Sequence, residues 1–446
     1  MSSRKGGGLS SAERDAMLSH ISARGGARRP IATEQRKAVR TPDFSALPGY
    51  RELVLQRELG LALGFDDPFY RVHEGRAGPE TEIAGRKLLN FSSYDYLGLN
   101  GHPEVAAAAK AAIDRYGVSP SASRLTAGER PVHRELERGL AELYGAEASI
   151  CMVSGHATNV TTIGQLVGAK DLIVYDSMAH NSILVGAKLS GAERRSFAHN
   201  DMAALDALLA AARDRYENVL IAVEGLYSMD GDYPDLPSLL EVKRRYGAWL
   251  MVDDAHALGV LGRRGHGLAE HFDVDPREID IWMGTLSKTL SACGGYIAGS
   301  AQLIDYLKYI AGGFVYSVGM SPALAAAAVA SLDLMQREPE RVARLHANGK
   351  LFVERAQEMG LNTGMSAGYS VVPIIVGDSL RTVALAQKLY ARGVYALPII
   401  PPGVPDRSAR LRFFITSEHS AEQIERAVAI TAEESAKLLN LRAGPG

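Results

Sequence analysis

Two short apolar segments between residues 249 and 288 limit the fold of this chain more than any other feature. Leu250–Val252 is followed at once by the carboxylate of Asp253, a pattern typical of a buried strand that ends in an acid. Ile279–Met283 is a second such segment, and it leads to Lys288. Because ligands of open α/β sheets bind at the carboxyl edge of the strands, we expect an amine and a carboxylate to meet there.

This pair suits a lysine that forms a Schiff base while an acid holds a protonated ring nitrogen. Strands that end in aspartate and lysines on surfaces are both common, so the pair alone leaves a purely structural interpretation open. Other segments of the chain therefore have to decide between the two.

Length and composition indicate an enzyme-sized globular protein. A chain of 446 residues with 46% hydrophobic residues suggests two or three domains with ample cores. The formal net charge of -2 favours neither nucleic acid nor an anionic membrane as a partner, and no apolar run reaches the roughly 18 residues of a membrane span. Two cysteines and no zinc-type spacing predict no metal site and a reducing, cytoplasmic location.

We expect four segments along the chain. Residues 1–48 are locally basic and Gly/Ser-rich, as in a flexible arm, with one short helix predicted at Leu9–Ile21. Residues 49–98 hold a helix from Tyr50 to Leu63 and then a strand and turn within Asn90–Gly98. Residues 99–330 alternate strands and helices, which predicts a mainly parallel sheet. Residues 331–440 predict a smaller α+β domain that begins with a long charged helix.

Several further residues are candidates for chemistry. Ser154 to Asn159 follow an apolar strand and start a helix, where free backbone N–H groups could hold a phosphate. No dinucleotide or P-loop motif supports the other phosphate-binding readings. Ser228 follows another strand, although an ordinary Asp-Gly turn explains that segment equally well.

Histidines and arginines complete the candidates. His133 begins a helix, where its flat ring could cover a cofactor, and His256 follows Asp253 closely; a structural role stays open for both. Arg410 and Arg412 alternate along a strand, so both guanidinium groups lie on one face. Such a pair suits a substrate carboxylate, with a salt bridge as the alternative.

In order along the chain, SSYDYLGL, SRLTAG, SGHATN, RRSFAHND, EGLYSMDGD, VDDAH, TLSK, YSVGMSP and RLRFFITSEH resemble segments of the α-oxoamine synthases. These are pyridoxal-phosphate (PLP) enzymes of fold type I, and they include 8-amino-7-oxononanoate synthase, aminoketobutyrate ligase, 5-aminolevulinate synthase and serine palmitoyltransferase. The resemblance implies an aspartate aminotransferase-like large domain and a homodimer with a shared active site.

The resemblance also implies roles for individual residues. Lys288 binds the cofactor covalently, Asp253 pairs with the pyridine nitrogen, His256 contacts the ring oxygen and His133 stacks on the ring. The remaining expected contacts are the phosphate at Gly155, His156 and Thr285, the ring oxygen at Ser228, the neighbour's phosphate at Ser317, and the amino-acid substrate at Arg412 and Tyr94.

Departures from the family pattern concern the substrates. Tyr94 replaces an Asn common in the family, Val318 replaces a hydroxyl residue, and Gly403 replaces a Thr. We expect decarboxylative condensation of serine, alanine or glycine with an acyl thioester. A carrier protein is preferred to coenzyme A as the thioester, because of the arm at Leu9 to Ile21 and because the near-neutral charge offers no obvious cluster for the coenzyme A phosphates. An aminotransferase or aldolase of the same fold and a scaffold that docks on a megasynthase are the alternatives.

Overall fold

The computed structural model describes residues 12, 43–62, 64–405 and 407–440. The chain divides into two compact units, residues 1–63 and 64–446. In its described part the first unit contains the helix Pro48–Ala62, which confirms the helix predicted from Tyr50. The short helix predicted at Leu9–Ile21, and most of the predicted arm, lie outside the described residues.

We number strands and helices in chain order. The strands are β1 Glu80–Ile83, β2 Arg86–Asn90, β3 Ala148–Met152, β4 Leu172–Asp176, β5 Glu193–Phe197, β6 Val219–Glu224, β7 Trp249–Asp253, β8 Ile281–Thr285, β9 Gly295–Gly299, β10 Val371–Gly377, β11 Val394–Tyr395, β12 Leu397–Ile399 and β13 Ala409–Phe414. The helices are α1 Pro48–Ala62, α2 Pro103–Tyr116, α3 Pro131–Leu143, α4 Gly155–Leu166, α5 Asn181–Ser190, α6 Met202–Ala212, α7 Leu236–Tyr246, α8 Leu268–His271, α9 Ala301–Ile310, α10 Gly312–Val315, α11 Pro322–Arg337, α12 Glu340–Glu358, α13 Ser379–Ala391 and α14 Ala421–Asn440.

A seven-stranded sheet forms the centre of the second unit, in the order β3-β9-β8-β7-β6-β4-β5. Strands β8, β7, β6, β4 and β5 run parallel, and β9 runs antiparallel to both β8 and β3. Alternate residues of β7 enter two separate apolar clusters, Leu250 and Val252 in one and Met251 in the other. Both faces of the sheet are therefore covered, and the predicted mainly parallel α/β fold is confirmed.

Two three-stranded sheets accompany the large one, in the orders β1-β2-β11 and β10-β13-β12. In the second of them β13 pairs antiparallel with β10 and with β12. Strand β13 carries the two arginines that the sequence singled out, and both lie on its same face because one residue separates them.

Two local predictions were wrong. The strand predicted within Asn90–Gly98 ends at its first residue, Asn90, and the rest is irregular or turn. The long charged helix predicted after residue 331 is two helices, because Pro339 interrupts them. No helix in the described ranges is long and apolar enough to cross a membrane. The four predicted segment boundaries stay a prediction.

Candidate active site

The carboxyl ends of three neighbouring parallel strands bring one amine and two carboxyl groups together. Glu224 ends β6 and Asp253 ends β7, and the two residues are direct partners in the sheet. Lys288 stands three residues after Thr285, the last residue of the adjacent strand β8. The meeting of Lys288 and Asp253 above neighbouring strands was predicted, whereas Glu224 was not given a role.

The amine of Lys288 is held in a partly buried position above this edge. Burial lowers its pKa to about 8, although Asp253 and Glu224 pull in the opposite direction. Its Nζ lies 5.9 Å from the centre of the Tyr94 ring. A substantial fraction of this amine is therefore uncharged and nucleophilic at neutral to mildly alkaline pH.

The carboxylate of Asp253 is fixed by two donors. Asn159 Nδ2 donates to its Oδ2 at 2.7 Å, and the backbone N–H of Ala255 donates to its Oδ1 at 3.0 Å. Asn159 is buried and also contacts Ser182 Oγ at 2.9 Å. Asn159 was not among the predicted site residues, although its position one helical turn after Gly155 places both residues on the same side of α4.

His256 lies next to this group as a neutral ring. Its Nδ1 is 2.6 Å from the hydroxyl of Tyr96, and the ring stacks near Phe414. Burial, with Lys288 and Arg412 nearby, holds the pKa of His256 well below its usual value. Within the described ranges no hydrogen-bond partner engages Nε2, so this nitrogen is available to a ligand.

The start of α4 forms an anion cradle against the end of β8. Ser154 caps the helix through Ala157 N–H at 3.3 Å, and the first backbone N–H groups of a helix have no partner within it. A Cβ added to Gly155 would lie 2.8 Å from Thr285 Oγ1. Glycine is therefore needed for this close approach. The His156 side chain is exposed beside α4, with its ring 6.3 Å from that of His180.

The two arginines of β13 have different partners. Arg410 is buried and pairs with Asp230 at 2.6 Å, which is the salt-bridge alternative considered for it. Arg412 donates from Nη1 to the backbone oxygen of Ser228 at 3.0 Å, and its buried Nε has no partner in the described part of the chain. Arg412 therefore keeps a donor for an anionic ligand.

A cavity of about 400 Å³ opens beside these groups. Among the residues that line it are Ser92, Tyr94, Asn100, Lys288, Tyr395 and Leu397. The Tyr94 ring packs edge-on against Phe414, with the ring centres 4.7 Å apart. Tyr94 thus forms a wall between the cavity and the aromatic residues around Arg412.

The structure does not bring His133 into this group, which corrects its predicted stacking role. The ring is fully buried, Nε2 donates to Met320 O at 2.8 Å, and Nδ1 accepts from Arg130 N–H at 3.2 Å. Burial lowers the pKa of the His133 ring. Besides Met320, the groups that act on this pKa are Arg124, Glu129 and Glu137. With both nitrogens engaged and no exposed face, His133 acts as a helix cap.

His180 is another histidine at a helix start, and it does lie beside this group. It stands at the start of α5, its Nδ1 contacts Ser182 Oγ at 2.7 Å, and the ring is exposed. Although the residue reaches solvent, neighbouring protein groups remove part of the hydration of its ring and lower the pKa of His180; Lys288, His156 and Arg412 lower it too, whereas Asp253 raises it. These influences place the ring close to both Lys288 and Asp253. Its position directly after β4, at the same sheet edge, is the signal that could have identified it.

Ser317 and Ser228 complete the predicted residues. Ser228 N–H donates to the Glu224 side chain at 3.3 Å, so this turn lies beside the same edge. Ser317 lies in the turn after α10, where its N–H donates to Phe314 O. In the described part of the chain no hydrogen bond joins Ser317 to Lys288, and its role in a neighbouring subunit stays a prediction.

These residues fit PLP on structural grounds. The cradle at Gly155 suits a phosphate, the fixed carboxylate of Asp253 suits a protonated ring nitrogen, and the partly buried amine of Lys288 suits a Schiff base. The phosphate cradle, the Asp253 carboxylate and the Lys288 amine all lie along one edge of the seven-stranded sheet.

Comparisons with known proteins agree with this arrangement. The family described as aminotransferase class I and II matches residues 86–430. An 8-amino-7-oxononanoate synthase of Beijerinckia indica subsp. indica is 44% identical over 77% of this chain and 86% of its own, and one of Pseudomonas putida is 41% identical over 81% and 91%. The solved structure of Sphingomonas wittichii serine palmitoyltransferase superposes with a TM-score of 0.84 at 30% identity, covering 89% of this chain and 99% of that chain.

The chain belongs to the aminotransferase class I and II family, and PLP is its cofactor. Within that family it is an α-oxoamine synthase, an acyltransferase that condenses an amino acid with an acyl thioester and releases CO2 and the thiol. The predicted reaction class and cofactor are confirmed. This result favours the condensation reaction over the aminotransferase, aldolase and scaffold alternatives.

Proposed function

We propose that this chain condenses alanine with a carrier-bound acyl thioester at the site around Lys288. The observation that supports amino-acid binding there is the buried Arg412 Nε without a partner in the described part of the chain, beside aromatic walls and near Lys288. An amino-acid carboxylate would accept from this nitrogen, and a charge-assisted hydrogen bond of this kind is among the stronger ones available.

When bound, PLP supplies an electron-withdrawing ring that accepts the negative charge developing on the α-carbon of the amino acid. Asp253, held by Asn159, would keep a proton on the pyridine nitrogen, and His256 Nε2 and Ser228 would hold the ring oxygen. The start of α4 and Thr285 would hold the phosphate. We propose His180, not His133, as the ring that covers the cofactor face.

Lys288 moves the proton of the reaction. As an amine with a pKa near 8 it removes the proton from the α-carbon and, once charged, returns a proton later. Tyr94 faces the charged form at 5.9 Å, a distance at which an aromatic ring attracts an ammonium group. Glu224 and Asp253 favour the same charged form.

Alanine comes first among the three small amino acids on chemical grounds. An 8-amino-7-oxononanoate has nine carbons. The eighth carbon bears the amine, and the ninth is a methyl group. Condensation with loss of CO2 leaves that two-carbon unit when the amino acid is alanine. The two relatives with that name described above are 44% and 41% identical to this chain, compared with 30% for the serine palmitoyltransferase.

The basic N-terminal residues support a carrier protein as the source of the acyl group. Residues 1–48 contain nine Lys or Arg and four Asp or Glu, within a chain whose net charge is -2. Such a positive segment attracts an acidic protein and suits a carrier domain of acidic surface. The support is compositional, since this segment lies almost wholly outside the described residues.

A mass-spectrometric screen tests both substrates. Alanine, serine and glycine are each offered with the same acyl group on coenzyme A and on a carrier protein. We expect the alanine product to predominate, and the carrier thioester to be used at lower concentration. A full-length variant with Arg28, Arg29, Arg36 and Lys37 changed to Glu should lose the advantage of the carrier and keep the rate with coenzyme A. Equal use of both donors by the wild type would contradict the carrier proposal.

We also infer a homodimer whose subunits share each site. An exposed apolar patch supports this: Tyr316 is 90% exposed and Val118 is 70% exposed. Hydrogen bonds from Gly319 N–H to Ala122 O and from Ser321 Oγ to Val118 O join the two segments that carry these side chains. Patches of this kind usually mark interfaces. The cytoplasmic location stays a prediction.

A further inference from the structure

His199 lies between two carboxylates beside the active-site edge. Its Nδ1 is 2.8 Å from Asp176 Oδ1, and its Nε2 is 2.8 Å from Asp232 Oδ2. A neutral imidazole donates from one nitrogen only, whereas two ionised carboxylates both require a donor. The geometry therefore fits a charged ring that donates on both sides.

This histidine connects three strand ends. Asp176 is the last residue of β4 and is fully buried, His199 follows β5 by two residues, and Asp232 closes the loop after β6. Asn200 reinforces the connection, because its backbone N–H donates to Asp176 Oδ2 at 2.8 Å and its Nδ2 donates to Asp232 Oδ2 at 2.9 Å. Asn200 adopts a positive φ of 53° to make both contacts, a conformation that asparagine tolerates better than most residues.

Asp232 belongs to a compact loop, residues 225–232. Tyr227 N–H donates to Asp232 O, and Gly231 N–H donates to Tyr227 O, both at 2.8 Å. Gly231 has a φ of 72°, and a Cβ there would lie 2.0 Å from Val371 O, so only glycine fits. Loop 225–232 is therefore held in one conformation. A displacement of Asp232 would also displace the residues that precede it in the loop.

The opposite side of loop 225–232 binds the arginines of β13. Arg412 donates to Ser228 O at 3.0 Å, and Arg410 donates to Met229 O at 3.2 Å as well as to Asp230. The loop thus lies between His199 on one side and Arg410 and Arg412 on the other. No metal-binding group occurs among the described residues, and both ring nitrogens of His199 are already engaged.

We infer that His199 is a positioning residue: as a cation bridging Asp176 and Asp232, it fixes loop 225–232 and thereby aims Arg412 at the carboxylate of the amino-acid substrate. This inference rests on the proposed role of Arg412. It gives the RRSFAHND and EGLYSMDGD segments a common task, since one supplies the cation and the other the loop.

The electrostatic surroundings agree with a permanent charge. Burial opposes the charge on His199, but the hydrogen bonds that its ring donates to Asp176 and Asp232 outweigh this effect and raise its pKa to about 10. The other titratable groups facing the cluster are Tyr227, whose ring meets His199 edge-on at 4.5 Å, and Glu224, which senses Asp176. Burial raises the pKa of both groups above their usual values.

The first test measures the charge directly in the full-length protein without cofactor. Histidine labelled with ¹³C and ¹⁵N is titrated by NMR, and the His199 signals are assigned by their loss in His199→Gln. We expect the ring to stay protonated on both nitrogens beyond pH 9 and to titrate near 10. Asp232→Asn should lower that value, because one carboxylate is removed. Titration near the ordinary value of about 6.5 would overturn the charged bridge.

The second test measures the positioning role. His199→Gln should raise the KM for the amino acid about tenfold and leave the KM for the thioester unchanged. His102→Asn, a change at an exposed helix cap that asparagine also fills, should change neither. In an Arg412→Gln background, His199→Gln should add little, because residues acting through one another are not additive.

The outcomes separate this inference from the proposed function. If Arg412→Gln leaves the amino-acid KM unchanged, the assignment of Arg412 fails, whatever the NMR titration shows. If Arg412→Gln raises that KM but His199→Gln does not, or if the two effects add fully, His199 has only a structural role and the inference is overturned. Should His199→Gln fail to fold, Asp232→Asn carries the same two tests.

Discussion

The ε-amine of Lys288 titrates at an unusual pH because opposing influences act on it. Burial removes water from the ammonium form and lowers the pKa to about 8, while Asp253 and Glu224 raise it. In the protein without cofactor, we expect Lys288 to be half-modified by an amine-specific reagent near pH 8 and not near 10.5. Peptide mass spectrometry across pH measures this, with the exposed Lys170 as an internal reference that reacts only at higher pH.

The substitution Asp253→Asn tests in which direction the Asp253 carboxylate shifts the pKa of Lys288. Asp253→Asn takes away an attraction that favours the ammonium form, so the pKa of Lys288 should fall below 8. The same variant should bind PLP yet lose most activity, because an unprotonated pyridine ring is a poor electron acceptor. An increase in the pH of half-modification, or turnover close to that of the wild type, would contradict the roles given to Asp253.

Arg412 offers a comparison with its neighbour on the same strand face. Arg412→Gln should raise the KM for the amino acid by roughly 10- to 100-fold, the range for losing a hydrogen bond to a charged group. Arg410→Gln should instead lower the melting temperature, because it leaves Asp230 buried without its partner. Steady-state kinetics and thermal unfolding of both variants check this. A reversed pattern would exchange the two roles.

The roles of some single residues could not be predicted from the sequence. Alternation along a strand correctly places Arg410 and Arg412 on one face, but only the position of Asp230 shows which of them is already neutralised. A histidine at a helix start describes His133 and His180 equally well. The fold separates them, since the first is enclosed by Arg130 and Met320 and the second is exposed near Lys288.

Whole elements were more predictable than residue roles. Helix α1 and strand β7 lie where the apolar spacing places them, because periodic or continuous apolar segments leave few alternatives. The order of strands across the sheet could not be read from the chain, and that order decides that Glu224 stands beside Asp253. Contacts between distant segments, such as Asn159 with Asp253, depend on the same information.

The start of α4 gives a prediction at the scale of an element. Gly155→Ala should weaken PLP binding, because the added methyl group would lie 2.8 Å from Thr285 Oγ1 and displace one side of the phosphate cradle. Gly168→Ala, near the end of the same helix where nothing lies within 4 Å, is the matched control. Cofactor titration followed by absorbance measures both. Equal affinity in the two variants would place the phosphate elsewhere.

At the scale of the whole molecule, the arrangement of two subunits decides whether Ser317 can reach the cofactor phosphate of a neighbouring subunit. The turn that carries Ser317 lies beside the exposed side chains of Tyr316 and Val318. Tyr316→Asp should disrupt the proposed dimer, because a charge placed in an apolar interface loses its hydration. Sedimentation should then show a monomer with reduced PLP affinity. An active monomer would remove Ser317 from the site.

A complementation experiment tests the sharing of sites directly. Lys288→Ala and Ser317→Asp are each expected to be inactive as homodimers, the first for lack of the amine and the second because its charge repels the cofactor phosphate. In a mixed dimer with shared sites, one site carries both substitutions and the other carries neither. Unfolding and refolding an equimolar mixture should therefore restore roughly a quarter of the wild-type activity, since half of the dimers are mixed and each has one intact site. If Ser317 serves its own subunit, every site in the mixed dimer carries one substitution, and no activity returns.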